Sequence, residues 1–259
     1  MPIIELPGGR LHYRLEGPYD ASTLVLSNSL GTDMSMWEPQ IPLLARHLRV
    51  LRYDTRGHGD SEVTAAGETL AGHGQDVIEL LHDLGIERAH FCGLSMGGMV
   101  GMWLAARAPE CIDRLVLCNT AARIGTPALW DARIAAIRAG GMAAVVPAVM
   151  ARFFSPAYLA RGSEAVDRVR RGLEATSVDG YIACCVAIRD ADLSADLKSV
   201  RTPTLVLAGT HDLAAPPEEE QALARAIEGA RYSELDAAHL SNIEAPERFT
   251  EAVLGFLKQ

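Results

Sequence analysis

Gly93-Leu94-Ser95-Met96-Gly97 closes the apolar run AHFCGL (89–94) and opens the segment MGGMVGMWLAARA (96–108). A short β-rich run, one polar residue and then a helix-compatible stretch read as strand, sharp turn and helix. A residue at the tip of such a turn is held in a strained backbone, and glycines two places to either side let strand and helix approach closely. Ser95 Oγ is then presented to a pocket. The Met96 backbone N–H falls at a helix N-terminus, where it can donate to a developing oxyanion. A plain Gly-rich turn shares the five-residue pattern, but the strand before it and the helix after it favour the chemical reading.

Outward from this point the same rhythm recurs. TLVLS (23–27), RVLRY (49–53), RLVLCN (114–119), TLVLAG (204–209) and YSELD (232–236) are short β-rich runs separated by longer helix-compatible segments. Apolar runs without alternation imply strands covered on both faces, and their alternation with helices implies an α/β fold around a mostly parallel sheet. The opening IIEL and LHYRL flank Pro7-Gly8-Gly9 and read as a hairpin. From Ala121 to Ala195 the rhythm breaks: DARIAAIRAGGMAAVVPAVMARFF and SEAVDRVRRGLEATSVDGYIACCVAIRD carry apolar residues at helical spacing with no convincing strand. We therefore expect a core formed by 1–120 and 196–259, with 121–195 as a helical cap packed on it.

The chain's 259 residues suit one domain with an insertion, and 49% apolar with 22% charged residues is ordinary for a globular enzyme. A formal net charge of −9 spread along the chain disfavours nucleic acid and anionic membranes as partners. Five cysteines (Cys92, Cys111, Cys118, Cys184 and Cys185) show no metal-ligand spacing and read as buried thiols in a reducing compartment. The N-terminus lacks a basic region followed by an apolar one, and no stretch approaches about 18 unbroken apolar residues, so a cytoplasmic location is expected.

A serine hydroxyl is a poor nucleophile near neutral pH. It needs an adjacent base, and the base needs a carboxylate to fix its tautomer. Downstream, TLVLAG ends in Thr210-His211-Asp212, and YSELD leads into Ala237-Ala238-His239. Both fall just past strand ends, where the sites of open α/β sheets lie. The expected triad is Ser95, Asp212 and His239. Asp236 is the less favoured acid, being at the last strand's end and close in sequence to the histidine, and His211 reads as a neighbour without a defined role. A second oxyanion donor is expected from the loop Ser27-Asn28-Ser29-Leu30-Gly31, with the Leu30 N–H as the choice. The cluster Asp54-Thr55-Arg56-Gly57-His58-Gly59-Asp60-Ser61 reads as a structural turn whose Asp54 and Arg56 pin neighbouring loops.

GLSMG, DTRGHGDS, GTHD and AAHLSNIEAPE together resemble the α/β-hydrolase superfamily over nearly the whole chain outside the helical insertion. Within it, LSNSLGTDMSMWEPQIPLL, LRYDTRGHGDSE, FCGLSMGGMVGMWLAARAPE, LAGTHDLAAPPE and DAAHLSNIEAPERF look most like the 3-oxoadipate enol-lactonases of the β-ketoadipate pathway of aromatic degradation. Many superfamily members carry His-Gly where this chain has Asn28-Ser29; the departure fits the lactonases and matters little for a backbone donor. The resemblance implies hydrolysis of 3-oxoadipate enol-lactone, a five-membered ring ester bearing a carboxylate, through an acyl-enzyme. It implies no metal and no organic cofactor. The substrate carboxylate needs a cation, and Trp130 with Arg133 one helical turn apart are the expected contacts; Arg123 or Arg152 could serve equally. The partner is then a small anionic lactone, with a homo-oligomer left open. Rival expectations are another small-ester hydrolase or cofactor-free perhydrolase, a carbon–carbon bond hydrolase, and a non-catalytic ligand-binding protein on the same scaffold; dehalogenases place aspartate at the turn.

Overall fold

The computed structural model describes residues 2–63 and 69–259. In chain order the elements are β1 (Ile3–Leu6), β2 (Gly9–Glu16), β3 (Thr23–Ser27), α1 (Ile41–Leu44), β4 (Arg49–Tyr53), α2 (Leu70–Asp83), β5 (Ala89–Leu94), α3 (Met96–Arg107) and β6 (Ile112–Cys118). Five helices follow without an intervening strand: α4 (Pro127–Gly140), α5 (Val146–Phe153), α6 (Pro156–Leu159), α7 (Glu164–Ala175) and α8 (Val178–Arg189). The chain then returns through β7 (Thr204–Gly209), α9 (Pro217–Ala226), β8 (Arg231–Leu235), α10 (Ser241–Glu244) and α11 (Pro246–Leu257).

The strands form one eight-stranded sheet in the order β1-β2-β4-β3-β5-β6-β7-β8. The hairpin β1–β2 joins antiparallel to β4, and every pairing from β4 to β8 is parallel. Leu6 pairs with Gly9, so Pro7 and Gly8 alone make the hairpin turn; Gly9, expected in the turn, is the first residue of the returning strand. β3, β5 and β7 are buried at every position, which is why their sequences are continuous apolar runs. Each fully covered Leu, Val or Phe there contributes about 1.5–3 kcal/mol. The edge strand β8 is largely exposed, and its sequence is correspondingly polar.

From β3 the chain moves to β4 on one side and then to β5 on the other, so strand order reverses between β3 and β5. At such a reversal the loops leaving the carboxyl ends of two neighbouring strands diverge and leave a crevice. The loop after β3 carries Leu30, and the turn after β5 carries Ser95. The helices between β6 and β7 pack against this end. A Cβ on Gly180 of α8 would lie 2.4 Å from the Gly57 carbonyl oxygen, and one on Gly31 would lie 2.9 Å from the Tyr181 ring, so backbone meets helix there with no room for a side chain.

RLVLCN (114–119) reads as a strand through Asn119, yet β6 runs from Ile112 to Cys118. Asn119 leaves it with φ 49 and its N–H bonded to the Leu207 carbonyl. The five cysteines are unbridged; Cys111, expected to be buried, is only partly covered, and the other four are buried. Among the described residues, no helix is long and apolar enough to cross a membrane.

Candidate active site

Ser95 has φ 59 and ψ −115, a conformation that side-chain-bearing residues rarely adopt. Three contacts hold it there. Its N–H donates to the Cys118 carbonyl at 2.9 Å, its carbonyl accepts the Thr120 hydroxyl at 2.8 Å, and the Gly97 N–H donates to the Asn28 carbonyl at 3.0 Å. A Cβ on Gly93 would sit 2.1 Å from the Gly97 carbonyl oxygen, so only glycine lets strand and helix close the turn. Ser95 occupies the N-cap position of α3, but its side chain makes no capping bond, which leaves Oγ free toward the cavity.

That cavity, of about 230 Å³, lies between the sheet's carboxyl end and the helices after β6. Ser95, Leu30, His239, Trp130, Arg133 and Arg152 are among its lining residues. His239 Nδ1 lies 2.8 Å from Asp212 Oδ2, and both residues are 2% exposed. Asp212 Oδ2 also accepts the Asn119 amide at 3.1 Å, and Oδ1 accepts the Ala214 and Ala215 N–H groups at 2.7 and 3.1 Å. Burial pushes this carboxyl up, but the facing imidazole and the two backbone donors outweigh it and hold Asp212 below the ordinary carboxylate range. An ionised Asp212 accepts a hydrogen bond from Nδ1–H, so Nε2 is the atom His239 has available as a base. Phe153 of α5 stacks on the imidazole with ring centroids 5.8 Å apart. Asp236 is instead on the surface, paired with His211 at 2.8 Å.

The Leu30 and Met96 N–H groups have no acceptor among the described residues. Met96 opens α3, and Leu30 sits in a loop fixed on both sides. Asn28 receives the Trp37 indole N–H at 2.8 Å and donates its amide to the Tyr53 carbonyl at 2.8 Å. The Gly31 N–H donates to His58 Nε2 at 2.9 Å.

Trp130 donates its indole N–H to the Ile124 carbonyl at 2.7 Å, and the Arg133 guanidinium lies 4.6 Å over its ring. Arg152 lines the same cavity from α5, whereas Arg123 is half-exposed and faces Asp192 at 3.8 Å. Among the described residues no group of three or more His, Cys, Asp or Glu side chains is arranged to hold a metal ion.

A family model for the alpha/beta hydrolase fold matches residues 22–246. The chain is 38% identical to 3-oxoadipate enol-lactonase 1 of Acinetobacter baylyi, covering 99% of this chain and 96% of that one. The chain belongs to the α/β-hydrolase family. The crystal structure of the enol-lactonase from Burkholderia xenovorans LB400 superposes on this hydrolase with a TM-score of 0.98 at 48% identity, over all of both chains. A putative carbamate hydrolase, RutD of Agrobacterium fabrum, is 33% identical over 95% of this chain and 98% of its own.

Several supports of the hydrolase site escape sequence reading. Glu220 of α9 is fully buried, accepts the Thr120 N–H at 3.1 Å through Oε1, and among the described residues has no partner for Oε2. Burial and the Asp212 charge, opposed by the Thr120 and Asn119 N–H groups, push its carboxyl up to about 10, so it is protonated at neutral pH. His58 is likewise buried, which lowers it to about 4 and keeps it neutral, as an acceptor from Gly31 must be. The DTRGHGDS turn acts as a clamp: Asp54 holds the Met34 and Asp60 N–H groups and His12, and Arg56 binds Asp76 and the Gly8 carbonyl. Nothing local in the sequence marks Glu220, whose partners lie a hundred residues away. His58 was visible only as part of a polar cluster.

Proposed function

We propose that this hydrolase opens 3-oxoadipate enol-lactone to 3-oxoadipate through a Ser95 acyl-enzyme, within the β-ketoadipate route of aromatic degradation. The observation that carries the chemistry is an uncapped, strained serine lining one cavity with an imidazole whose Nδ1 is engaged by an ionised aspartate. The substrate reading rests on near-full-length similarity to enol-lactonases and on arginines in the cavity wall.

His239 Nε2 takes the Ser95 hydroxyl proton as Oγ bonds to the lactone carbonyl carbon. The Leu30 and Met96 N–H groups hold the resulting oxyanion, each such donor supplying about 2.7–4 kcal/mol in comparable sites. Collapse breaks the ring C–O bond. The enol oxygen leaves with the proton from His239 and tautomerises to the ketone, which makes this leaving group a good one. Water then gives one proton to His239 and attacks the acyl carbon; Ser95 departs with that proton, and the new carboxylic acid loses its remaining proton to solvent as the second carboxylate is released. No step requires a group beyond these side chains. Trp130 and Arg133 hold the substrate's carboxylate end, and 121–195 acts as a cap that keeps bulk water from the acyl-enzyme.

Purified protein offered the enol-lactone, a neutral aryl ester and a carbamate tests this reading. The lactone is expected to turn over fastest by kcat/KM. Faster turnover of the aryl ester or the carbamate would overturn the substrate assignment while leaving the acyl-enzyme chemistry intact.

A further inference from the structure

We propose that Glu220, on the first turn of α9, is a positioning residue for hydrolysis: its carboxyl braces the bend Cys118-Asn119-Thr120 and through it sets Ser95 and Asp212 at their working separation. The proposal rests on the acyl-enzyme reading of Ser95, Asp212 and His239, and not on which ester they open.

The three residues of that bend hold both partners at once. The Cys118 carbonyl accepts the Ser95 N–H at 2.9 Å and the Thr120 hydroxyl donates to the Ser95 carbonyl at 2.8 Å, so the strained nucleophile is clasped on both sides of its Cα. Asn119, between them, donates its amide to Asp212 Oδ2 at 3.1 Å. With φ 49 at Asn119, the bend is itself a conformation that its surroundings must enforce. The far end is fixed through the Thr120 N–H, and the acceptor for that N–H is Glu220 Oε1 at 3.1 Å.

Glu220 is tied to the acid as well. The loop from Asp212 runs directly into α9: the Ala214 and Ala215 N–H groups donate to Asp212 Oδ1, and the Glu220 N–H reaches back to the Pro216 carbonyl at 3.3 Å. One side chain therefore connects the loop that carries Asp212 to the bend that holds Ser95.

Packing alone does not account for an acid at this place. Other buried acids face a basic group, Asp54 with His12, Asp76 with Arg56 and Asp212 with His239. Glu220 is fully buried with no cationic partner among the described residues, and its Oε2 has no hydrogen-bond partner among them. A leucine would fill a similar volume without that cost, but it would leave the N–H of the fully buried Thr120 unpaired. Burial and the Asp212 charge raise the Glu220 carboxyl to about 10. The protonated form still accepts through Oε1 and adds no charge beside the aspartate that must stay ionised.

The test compares three substitutions near neutral pH. Glu220→Gln keeps a neutral acceptor in reach of the Thr120 N–H, Glu220→Leu removes it, and Glu220→Asp withdraws it by one methylene. Each variant is assayed on the enol-lactone and on a neutral aryl ester, and its Ser95 is labelled with a fluorophosphonate. Glu220→Leu is expected to lower kcat about tenfold on both esters with KM within about twofold, and to slow labelling by a similar factor while labelling still goes to completion. Glu220→Gln is expected to restore both rates to within about threefold of the wild type, with Glu220→Asp between the two. Combining Glu220→Leu with Thr120→Val is expected to cost less than the product of the single losses, because both act on one bend.

Incomplete labelling at the wild-type rate reports lost fold alone and would overturn the proposal. A wild-type kcat in Glu220→Leu, a loss confined to KM, or a Glu220→Gln protein as impaired as Glu220→Leu would do the same. If Glu220→Leu yields no folded protein, Glu220→Asp decides by the same readings. If the wild type does not open the lactone but aryl-ester turnover and labelling respond as expected, the positioning role stands and the lactonase reading falls. If Ser95→Ala abolishes turnover and labelling while every Glu220 variant keeps wild-type rates, the positioning role falls and the serine chemistry stands.

Discussion

Asn119 donates its side-chain amide to Asp212 Oδ2 at 3.1 Å, the same oxygen that His239 Nδ1 approaches to 2.8 Å. The Asn119 amide oxygen accepts the Ser241 hydroxyl at 2.5 Å, and its positive φ aims the amide away from the strand it follows. The carboxylate is therefore oriented by a residue on β6's end, while its own loop comes from β7. Asn119→Ala removes that donor without adding bulk. We expect kcat to fall by about tenfold, the scale of one hydrogen bond to a charged group, with KM little changed. Steady-state kinetics on the enol-lactone check this, and a rise confined to KM would contradict it.

Glu220 sets a pH dependence of stability. Its folded carboxyl titrates at about 10 against an ordinary value of 4.5, so between these pH values the folded protein holds a proton that the unfolded chain releases. Stability contributed by this group is complete below about pH 4.5 and declines as pH rises toward 10. The charges facing it are Asp212 and Glu234, with Cys118 and Tyr232 nearby. Glu220→Gln keeps an acceptor for the Thr120 N–H and cannot ionise. Its melting temperature is expected to exceed the wild type's at pH 8 by several degrees, with the gap closing toward pH 4.5. A constant gap across that range would contradict a protonated Glu220.

His58 acts at the acid end. Its folded value is about 4 against an ordinary 6.5, so as pH falls from about 6.5 toward 4 the unfolded chain gains a proton that the folded one refuses, and stability drops. His73, lowered by burial to about 3, adds to the same decline. His58→Ala is expected to flatten part of that slope and, by leaving the Gly31 N–H without an acceptor, to cost about 1–3 kcal/mol at pH 7. Melting curves between pH 4 and 7 test both statements; an unchanged slope with unchanged stability would contradict them.

Gly180 touches the Gly57 backbone so closely that a Cβ would stand 2.5 Å from the Gly57 Cα. Both contacting groups are main chain, so Gly180→Ala must push α8 and its Tyr181 away from the turn after β4. The expected loss is about 1–3 kcal/mol of stability, with a raised KM for the enol-lactone. A variant with wild-type stability and KM would show that α8 shifts without consequence for the cavity.

The fold was legible because the buried strands are apolar runs with no alternation, and a run of that kind has few other places to go in a chain of this length. The positions of Ser95 and Asp212 were legible because each follows such a run, and that of His239 because it follows the last, more polar strand; a parallel sheet carries all those ends to one face. Asn119 was misread as strand because its departure depends on φ 49, which Cys118 and Thr120 do not announce. Glu220, Phe153 and Tyr181 were invisible: each acquires its contact from an element far along the chain, and a glutamate in PEEEQALARA looks like any exposed helical acid. Arg123, Arg133 and Arg152 were equivalent by sequence, since only helix packing decides which guanidinium enters a cavity.

The role of Ser95 is tested most directly by following enol-lactone opening spectrophotometrically with the wild type and Ser95→Ala side by side. The substitution is expected to remove at least about two orders of magnitude of kcat while the melting temperature is maintained. A folded Ser95→Ala protein that opens the lactone at near the wild-type rate would contradict nucleophilic attack by this hydroxyl.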